Sequence, residues 1–446
     1  MVDNICAIAT PYGTGAISII RCSGPNSIEL VNNIFKGKNL TKCKSHTIHY
    51  GHIVSNNKII DEVLCNIFLA PNSFDGENTV EINCHGGVYV TNCVLQLLLR
   101  SGFRMAEKGE FSKRAFLNHK LDLTQAEAIM DIISSTNQLA LESSTNSLRK
   151  KTTELISRFR EDILDILAKI EVKIDYPEYD DAITITNEYL LPVIEKLINN
   201  MDKILFNSSI STIAIHGIKT AIVGKPNVGK SSLLNMLLDE DKAIVSSIAG
   251  TTRDLVEGTL NIKNITLHLI DTAGIRESDD TIEAIGITRS QKAIETADLV
   301  LLVLDSSKPL DDMDKELLKL TKNKKRIIIA NKMDLSNKLD IEDVIYISAK
   351  NKEGLDALAE KIYEVTNLSD FDPKTTDYLN NARQISLMEK ANNALKNAKN
   401  AIAFGVDVDL IEIDIKEAFD ALGEIPGEAY PDELITALFT KFCLGK

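Results

Sequence analysis

An apolar run, Thr220 to Val223, passes directly into Gly224-Lys225-Pro226-Asn227-Val228-Gly229-Lys230-Ser231, and Ser232-Leu233-Leu234 then opens a helical pattern. A strand that turns through glycines into a helix leaves free backbone N–H groups around the helix start, where they cradle phosphate oxygens. Asn227, Val228, Gly229, Lys230, Ser231 and Ser232 are the phosphate-binding residues on this reading. Lys230 reaches the β and γ oxygens, and the Ser231 hydroxyl ligates Mg²⁺. The segment also constrains the fold around it. Strand-like and helical stretches alternate from Ile213 to about Asn367, which predicts a parallel sheet with helices on its faces.

Three further segments arrive in the order a guanine-nucleotide site requires. Asp271-Thr272-Ala273-Gly274 follows the strand Ile265 to Ile270, placing a carboxylate near the Mg²⁺ water shell and a glycine N–H near the γ-phosphate. Asn331-Lys332-Met333-Asp334 follows Ile327 to Ala330. The Asp334 carboxylate can accept from both N1–H and the 2-amino group of guanine, a pair that adenine does not offer, so GTP is favoured over ATP. Ser348-Ala349-Lys350, after Val344 to Ile347, would back the base with main-chain N–H groups. Between the first two motifs lies Gly250-Thr251-Thr252-Arg253-Asp254, in which either threonine can complete the Mg²⁺ shell by spacing alone. Ile275, after Gly274, cannot orient a water, so catalysis must come from elsewhere, with Arg276, Glu277, Asp279, Asp280 and Glu283 within reach in sequence.

At about 100 to 200 residues per domain, 446 residues imply two to four domains. Residues 1–118 read as mixed α and β, with short apolar runs cut by Pro and Gly. From Leu123 the texture is helical. Leu148, Leu155, Phe159, Ile163, Ile166, Ile170 and Ile174 predict one long amphipathic helix ended by Pro177. A second helical stretch spans Leu190 to Phe206, and a polar break at Asn207 to Ser211 leads into the α/β unit. Helical spacing returns through Leu387, Ala391, Leu395 and Ala398, then in Ile415 to Leu422 and Leu434 to Phe442. The expected boundaries are 1–118, 119–212, 213–372 and 373–446. The α/β unit is thus inserted into one helical domain made from both flanks, a multidomain α/β plus all-α chain.

A net charge of −14 argues against attachment to nucleic acid by bulk charge, so any such contact must be local. Met1 to Arg21 lacks the pattern of a signal peptide, and no apolar run reaches the roughly 18 residues that span a bilayer. A cytoplasmic protein with no membrane attachment is expected. The seven cysteines, at 6, 22, 43, 65, 84, 93 and 443, never form a Cys-x-x-Cys pair, which predicts buried free thiols.

With the G motifs, Asp271 to Glu277, and the C-terminal Phe442-Cys443-Leu444-Gly445-Lys446 read together, the chain resembles the bacterial tRNA-modification GTPase family MnmE, also called TrmE. Ala9-Thr10-Pro11, Ile19 to Gly24, Asn72 to Gly87, Gly109 to Ser112 and Ala126-Glu127-Ala128 extend the likeness over nearly the whole length. The resemblance implies an N-terminal tetrahydrofolate-binding and dimerising domain, a helical domain, and a Ras-like P-loop GTPase domain inserted into it. It implies work with the FAD-bearing flavoprotein MnmG (GidA), as a homodimer and then a heterotetramer. Together they place a carboxymethylaminomethyl or related group on carbon 5 of the wobble uridine of certain tRNAs. The carbon would come from a 5-formyl or 5,10-methylene tetrahydrofolate.

The family's GTP hydrolysis is stimulated by K⁺ and by G-domain dimerisation, which implies that a potassium ion does the charge work Ile275 cannot support. Carried onto this chain, Asn227 supplies a side-chain K⁺ ligand, and Ser246, Ile248 and Thr251 supply main-chain oxygens. Thr252 and Ser231 fall to Mg²⁺, and Ser247, Ala249 and Gly250 join the nucleotide site. Glu283 aligns with the family's catalytic Glu, acting through a bridging water beside Lys230 and Thr252. The folate pocket carries over as Arg21, Glu81 and Lys120, closed by Lys446, and Cys443 matches the family's terminal cysteine. An acidic chain binds tRNA weakly by itself, so the partner is expected to contribute much of the cationic surface. The competing reading is a ribosome-assembly-type GTPase switch that binds RNA without folate chemistry.

Overall fold

The computed structural model describes residues 3–175, 190–240, 256–262, 265–270, 291–335, 339, 341–368, 375–428, 432–440, 442 and 445. They divide into two units. One takes Met1–Met130, Leu148–Ile156 and Leu422–Lys446, and the other Asp131–Ser147 and Ser157–Ala421.

The first unit is built on alternation. In the strand Lys58–Phe68, Asp61, Val63, Cys65 and Ile67 are buried while Glu62 and Leu64 face outward, the period-2 pattern of a sheet with one covered face. Its strands are β1 (Ile5–Ile8), β2 (Ile17–Ser23), β3 (Phe35–Gly37), β4 (Thr47–Ser55), β5 (Lys58–Phe68), β6 (Thr79–His85) and β7 (Arg104–Met105). They form one sheet in the order β3-β4-β5-β6-β2-β1-β7. Asn56 and Asn57, at φ 48° and 60°, make the two-residue turn between β4 and β5, a conformation asparagine tolerates better than most residues. The C-terminal helix Asp432–Phe439 belongs to this unit, where Ile435, Phe439 and Phe442 pack with Leu123 and Ala126. Gly109 makes that packing fit: a Cβ there would lie 2.3 Å from the Phe439 carbonyl oxygen.

The second unit holds β8 (Ile218–Val223), β9 (Val256–Ile262), β10 (Ile265–Ile270), β11 (Leu299–Asp305), β12 (Arg326–Asn331) and β13 (Val344–Tyr346). Their order is β13-β12-β11-β8-β10-β9, and only β9 and β10 run antiparallel. All seven residues of β11 are buried, as expected for a central strand covered on both faces. Strand order turns at β8, between β10 and β11, and the loop that leaves its carboxyl end is Gly224–Ser231.

Two helix expectations need correction. The single helix through Leu148 is two, Gln138–Leu148 and Lys151–Asp175, because Lys150 sits at φ 67° and breaks the ladder. Leu155, Phe159, Ile163, Ile166 and Ile170 are buried on the second, whereas Ile174 is exposed. The polar stretch Asn207 to Ser211 is no break either. One helix runs from Leu191 to His216, and Ser208 Oγ donates back to Ile204 O (2.7 Å) while Ser211 Oγ donates to Ser208 O (2.9 Å) and Leu379 O (3.1 Å). Serines that satisfy themselves on nearby carbonyls can stay inside a helix and be buried. Among the described residues no helix is long and apolar enough to cross a membrane, and Cys6, Cys22, Cys43, Cys65, Cys84 and Cys93 are free thiols.

Candidate functional site

The loop after β8 owes its shape to two glycines and an asparagine in conformations other residues resist: Gly224 at φ 158°, Asn227 at 63° and Gly229 at 96°. A Cβ on Gly224 would lie 2.4 Å from Val303 O, and one on Gly229 would lie 2.2 Å from Asn331 Nδ2. Val228 is buried and pins the loop, whereas Pro226 and Asn227 at its crest are exposed. Lys230 opens the helix Lys230–Glu240, with Ser231 and Ser232 exposed in its first turn and Leu233, Leu234, Met236 and Leu237 buried behind. Lys230 Nζ donates to Gly224 O and Lys225 O, both at 2.8 Å, which leaves one of its three N–H bonds for an anion. Burial pushes its pKa below the ordinary lysine value.

Asn331, fully buried at the end of β12, joins three loops. Its Nδ2 donates to Val228 O (2.9 Å) and its Oδ1 accepts from Ala349 N (3.0 Å). Lys332, at φ 68°, lays its Nζ on Asn227 O (2.9 Å) and Asp305 Oδ2 (2.7 Å). Asp334 is exposed, and Ser348 Oγ donates to its Oδ1 at 2.7 Å. The motifs around Asn227, Asn331 and Ser348 therefore meet at the carboxyl ends of β8, β12 and β13. Ala349's N–H is bonded to Asn331, and Lys350 beside it is exposed.

A second polar cluster lies in the first unit. Arg21 on β2 and Glu81 on β6 are direct cross-strand neighbours, joined Nε–Oε1 at 3.0 Å and Nη2–Oε1 at 2.9 Å. Arg21 Nη1 also donates to Gly445 O (3.3 Å), and its guanidinium lies over the rings of Phe74 (5.4 Å) and Phe111 (5.6 Å). Lys120 is exposed and bonds Pro71 O at 3.0 Å, touching neither Arg21 nor Glu81. Asn66 pairs with Glu81 and Asn83 with Ile19, so both share a sheet face with Arg21. The Oδ1 atoms of Asn66 and Asn83 are buried and have no hydrogen-bond partner among the described residues.

Residues 123–443 match the family model described as MnmE helical domain, and residues 4–120 match that described as GTP-binding protein TrmE N-terminus. The chain is 51% identical over 448 residues to the tRNA modification GTPase MnmE of Lactococcus lactis subsp. cremoris (strain SK11), covering 100% of this chain and 98% of that protein. The protein of the same name from Acholeplasma laidlawii is 50% identical, with 100% and 99% covered. The chain belongs to the MnmE family of tRNA modification GTPases. Among solved structures, Era in complex with MgGDPNP and a segment of 16S ribosomal RNA is 30% identical over 40% of this chain and 66% of that one, with a TM-score of 0.26.

For this MnmE-family chain, several expected site residues lie outside the described residues: Ser246, Ser247, Ile248, Ala249, Gly250, Thr251 and Thr252, Asp271, Thr272, Ala273 and Gly274, Glu283, Cys443 and Lys446. Other residues of the site escaped the sequence reading. Asp305 anchors Lys332, and although burial alone would raise its pKa, hydrogen bonds from Lys332 and Ser307 hold it below the usual carboxylate value. Lys225 Nζ lies 2.7 Å from both Asp311 and Asp314, the capping box of the helix Asp312–Leu320, so the phosphate loop is tied to that helix too. Burial opposes its charge, but the two carboxylates prevail and raise its pKa. Position at a strand's carboxyl end was a signal that could have found Asp305. Asn66 and Asn83 carried none, since a strand asparagine reads as an outward polar residue.

Proposed function

We propose that this protein is a K⁺-dependent GTPase that works with the FAD-bearing flavoprotein MnmG (GidA) to build a carboxymethylaminomethyl or related aminomethyl group on C5 of the wobble uridine of certain tRNAs. The carbon comes from a 5-formyl or 5,10-methylene tetrahydrofolate, and the working assembly is a cytoplasmic homodimer joined by MnmG into a heterotetramer. The observation that carries this reading is about 50% identity along the entire chain to proteins named tRNA modification GTPase MnmE. The proposed organisation is an N-terminal folate domain over 1–118, a helical domain from 119–212 and 373–446, and a G domain over 213–372.

The described residues suit these ligands. Lys230, immobilised on two carbonyls, aims its remaining N–H at the β and γ phosphates. Asp334, steadied by Ser348, accepts from the guanine edge. Asn227, exposed at the crest of the loop in the left-handed region, presents its side chain beside the phosphates as the K⁺ ligand, and Ser231, in the first turn of the helix that Lys230 opens, is the Mg²⁺ ligand. Bound Mg²⁺ and K⁺ supply positive charge against the phosphates as negative charge develops there. Ser246, Ile248, Thr251 and Thr252 would complete the two ion sites, and Glu283 would orient the attacking water. In the first unit, Glu81 and the orphaned oxygens of Asn66 and Asn83 form an acceptor-rich face suited to the ring N–H and amino groups of a pterin. Arg21 adds positive charge to that face, and Lys120 and Lys446 would extend it, with Cys443 three residues before Lys446 in sequence.

The decisive experiment measures initial GTP hydrolysis in KCl and in NaCl at equal ionic strength and several protein concentrations. The reading expects stimulation by K⁺ that grows with concentration, and loss of most of it in Asn227→Ala with GTP affinity within about threefold. An equal, concentration-independent rate would overturn the K⁺ and Glu283 assignments. Thermal protection by 5-formyltetrahydrofolate, lost in Glu81→Gln, is expected of the folate pocket; no protection would favour the RNA-binding switch.

A further inference from the structure

Between Glu29 and Asp61 the chain carries no Asp or Glu at all, yet it has five lysines, Lys36, Lys38, Lys42, Lys44 and Lys58, and three histidines. In a protein of net charge −14 this is a local reversal of sign. All five lysines are exposed, and none forms an ion pair among the described residues. Four of them lie on β3, the edge strand of the first unit's sheet, and on the short segment that joins it to β4.

That segment is a built platform. Leu40 and Cys43 are buried beneath it and tie it to the core around Ile34, Phe35 and Ile53. Asn39 caps its 3₁₀ turn by accepting from Thr41 N (3.0 Å), Leu40 N donates to Asn32 Oδ1 (2.8 Å), and Thr47 Oγ1 donates to Lys44 O (2.6 Å). Anchored this way, the backbone holds Lys38, Lys42 and Lys44 facing water at fixed spacing, so cations meeting a polyanion here lose little backbone entropy. Burial, and after it the charge of Lys38, lowers the pKa of the neighbouring His49.

We propose that Lys36, Lys38, Lys42 and Lys44 form a docking surface for the phosphate backbone of RNA, the tRNA of the proposed reaction. This rests on that reading for the identity of the RNA. The physical basis is counterion release, in which each lysine that neutralises a phosphate frees a condensed cation. Such contacts carry no sequence information; they orient a substrate whose bases are read elsewhere. They also supply the local contact that an acidic chain needs if it is to touch RNA itself.

The test measures tRNA affinity of the full-length protein by fluorescence anisotropy from low to moderate KCl, alone and with the flavoprotein partner. It compares wild type, the Lys36→Gln/Lys38→Gln/Lys42→Gln/Lys44→Gln variant, and a control carrying Lys315→Gln, Lys319→Gln, Lys322→Gln and Lys325→Gln on the other unit. The first variant is expected to bind about 10- to 100-fold more weakly at low salt, with a slope of log affinity against log salt shallower by roughly 2 to 4. The control should stay within about threefold, and both should hydrolyse GTP at the wild-type rate. Equal losses in the two variants would reduce the effect to overall charge and overturn the proposal. Unchanged affinity in the first would also overturn it, leaving the lysines as guards of a sheet edge, while the tRNA-modifying reading stood. Wild type that binds no tRNA, even with its partner, would overturn both. Binding to anionic lipid vesicles in place of tRNA would assign the surface to a membrane.

Discussion

Asn331 shows how much of the nucleotide site hangs on single side chains. Its amide spans from Val228 O to Ala349 N, and its Nδ2 occupies the space a Cβ on Gly229 would need. Asn331→Ala leaves a buried carbonyl and a buried N–H unpaired, at about 1–3 kcal/mol each, and frees two loops to move. GTP affinity should fall at least tenfold by calorimetry, with no change in the amide protection of the first unit. On the proposed reading Asp334 would act instead through its charge. In Asp334→Asn the side chain becomes half donor, so one of its two acceptors for guanine is lost, while the C2 carbonyl of xanthine gains a partner. The expected outcome is weaker GTP binding by about 10- to 100-fold and a shift of preference to xanthosine triphosphate, read by competition against a fluorescent nucleotide. Unchanged selectivity would remove Asp334 from the base pocket.

At the scale of elements, the joint between the helix Leu191–His216 and β8 turns on one residue. Gly217 has φ 76°, and a Cβ there would lie 2.5 Å from the Thr266 carbonyl at the start of the neighbouring β10. Gly217→Ala should cost about 1–3 kcal/mol, seen as a lower urea midpoint for the nucleotide-binding unit. The strands around this joint were legible in sequence. Ile265 to Ile270 is β10 to the residue, and Ile327 to Ala330 lies inside β12, because continuous apolar runs bounded by turn residues leave little choice. Where helices begin and end was harder to read. Asn207 to Ser211 is polar enough to suggest a loop, but the pull toward loop weakens once Ser208 and Ser211 bond to the helix's own carbonyls. At Lys150 a lysine, with no sequence signal of its own, takes a left-handed conformation that splits two helices. The loop between β8 and the helix Lys230–Glu240 was legible because backbone geometry forces glycine, lysine and serine into fixed order. The ties from Lys225 to Asp311 and Asp314 and the orphaned oxygens of Asn66 and Asn83 depend on which strands and loops become neighbours, and a single chain's local pattern does not carry that.

The N-terminal unit is also held by charge close to the chain's beginning. Asp3 bridges Arg104 (2.7 Å) and Arg114 (2.6 Å), and the hydrogen bond from Arg104 is the largest cause that takes its pKa from the ordinary 3.8 to about 2. A carboxylate whose folded pKa is depressed stabilises the fold above its unfolded pKa and loses that contribution as pH falls toward the folded one. The loss therefore falls between about pH 4 and pH 2. Because Asp3 is 44% exposed, solvent screens the pair and the effect is modest. Asp3→Asn should flatten the acid limb of stability against pH over that window and leave the neutral limb parallel to wild type. An identical acid limb would show that the arginines hold Glu77 and Glu110 equally well without it.

The two ends of the chain fold together, although more than 300 residues separate Lys113 from Thr436, which it bonds at 2.8 Å. Leu123 N likewise donates to Pro426 O, and Gly427 packs against Phe116 and Leu123. Ending the chain after Glu428 would uncover Leu123 and Ala126 and remove Phe439 and Phe442 from their cluster. At about 25 cal/mol per Å² of apolar surface, losing two phenylalanine rings and an isoleucine from a core costs several kcal/mol, a large share of a domain's stability. Every described residue of the nucleotide site lies in the other unit. The truncated protein should therefore keep GTP affinity within about threefold while amide protection in β1, β2 and the helix Glu110–Leu117 drops by orders of magnitude. Loss of GTP binding along with it would mean that the two units fold as one cooperative body. Unchanged protection in β1 and β2 would mean that the C-terminal helix only rests on a core already complete without it.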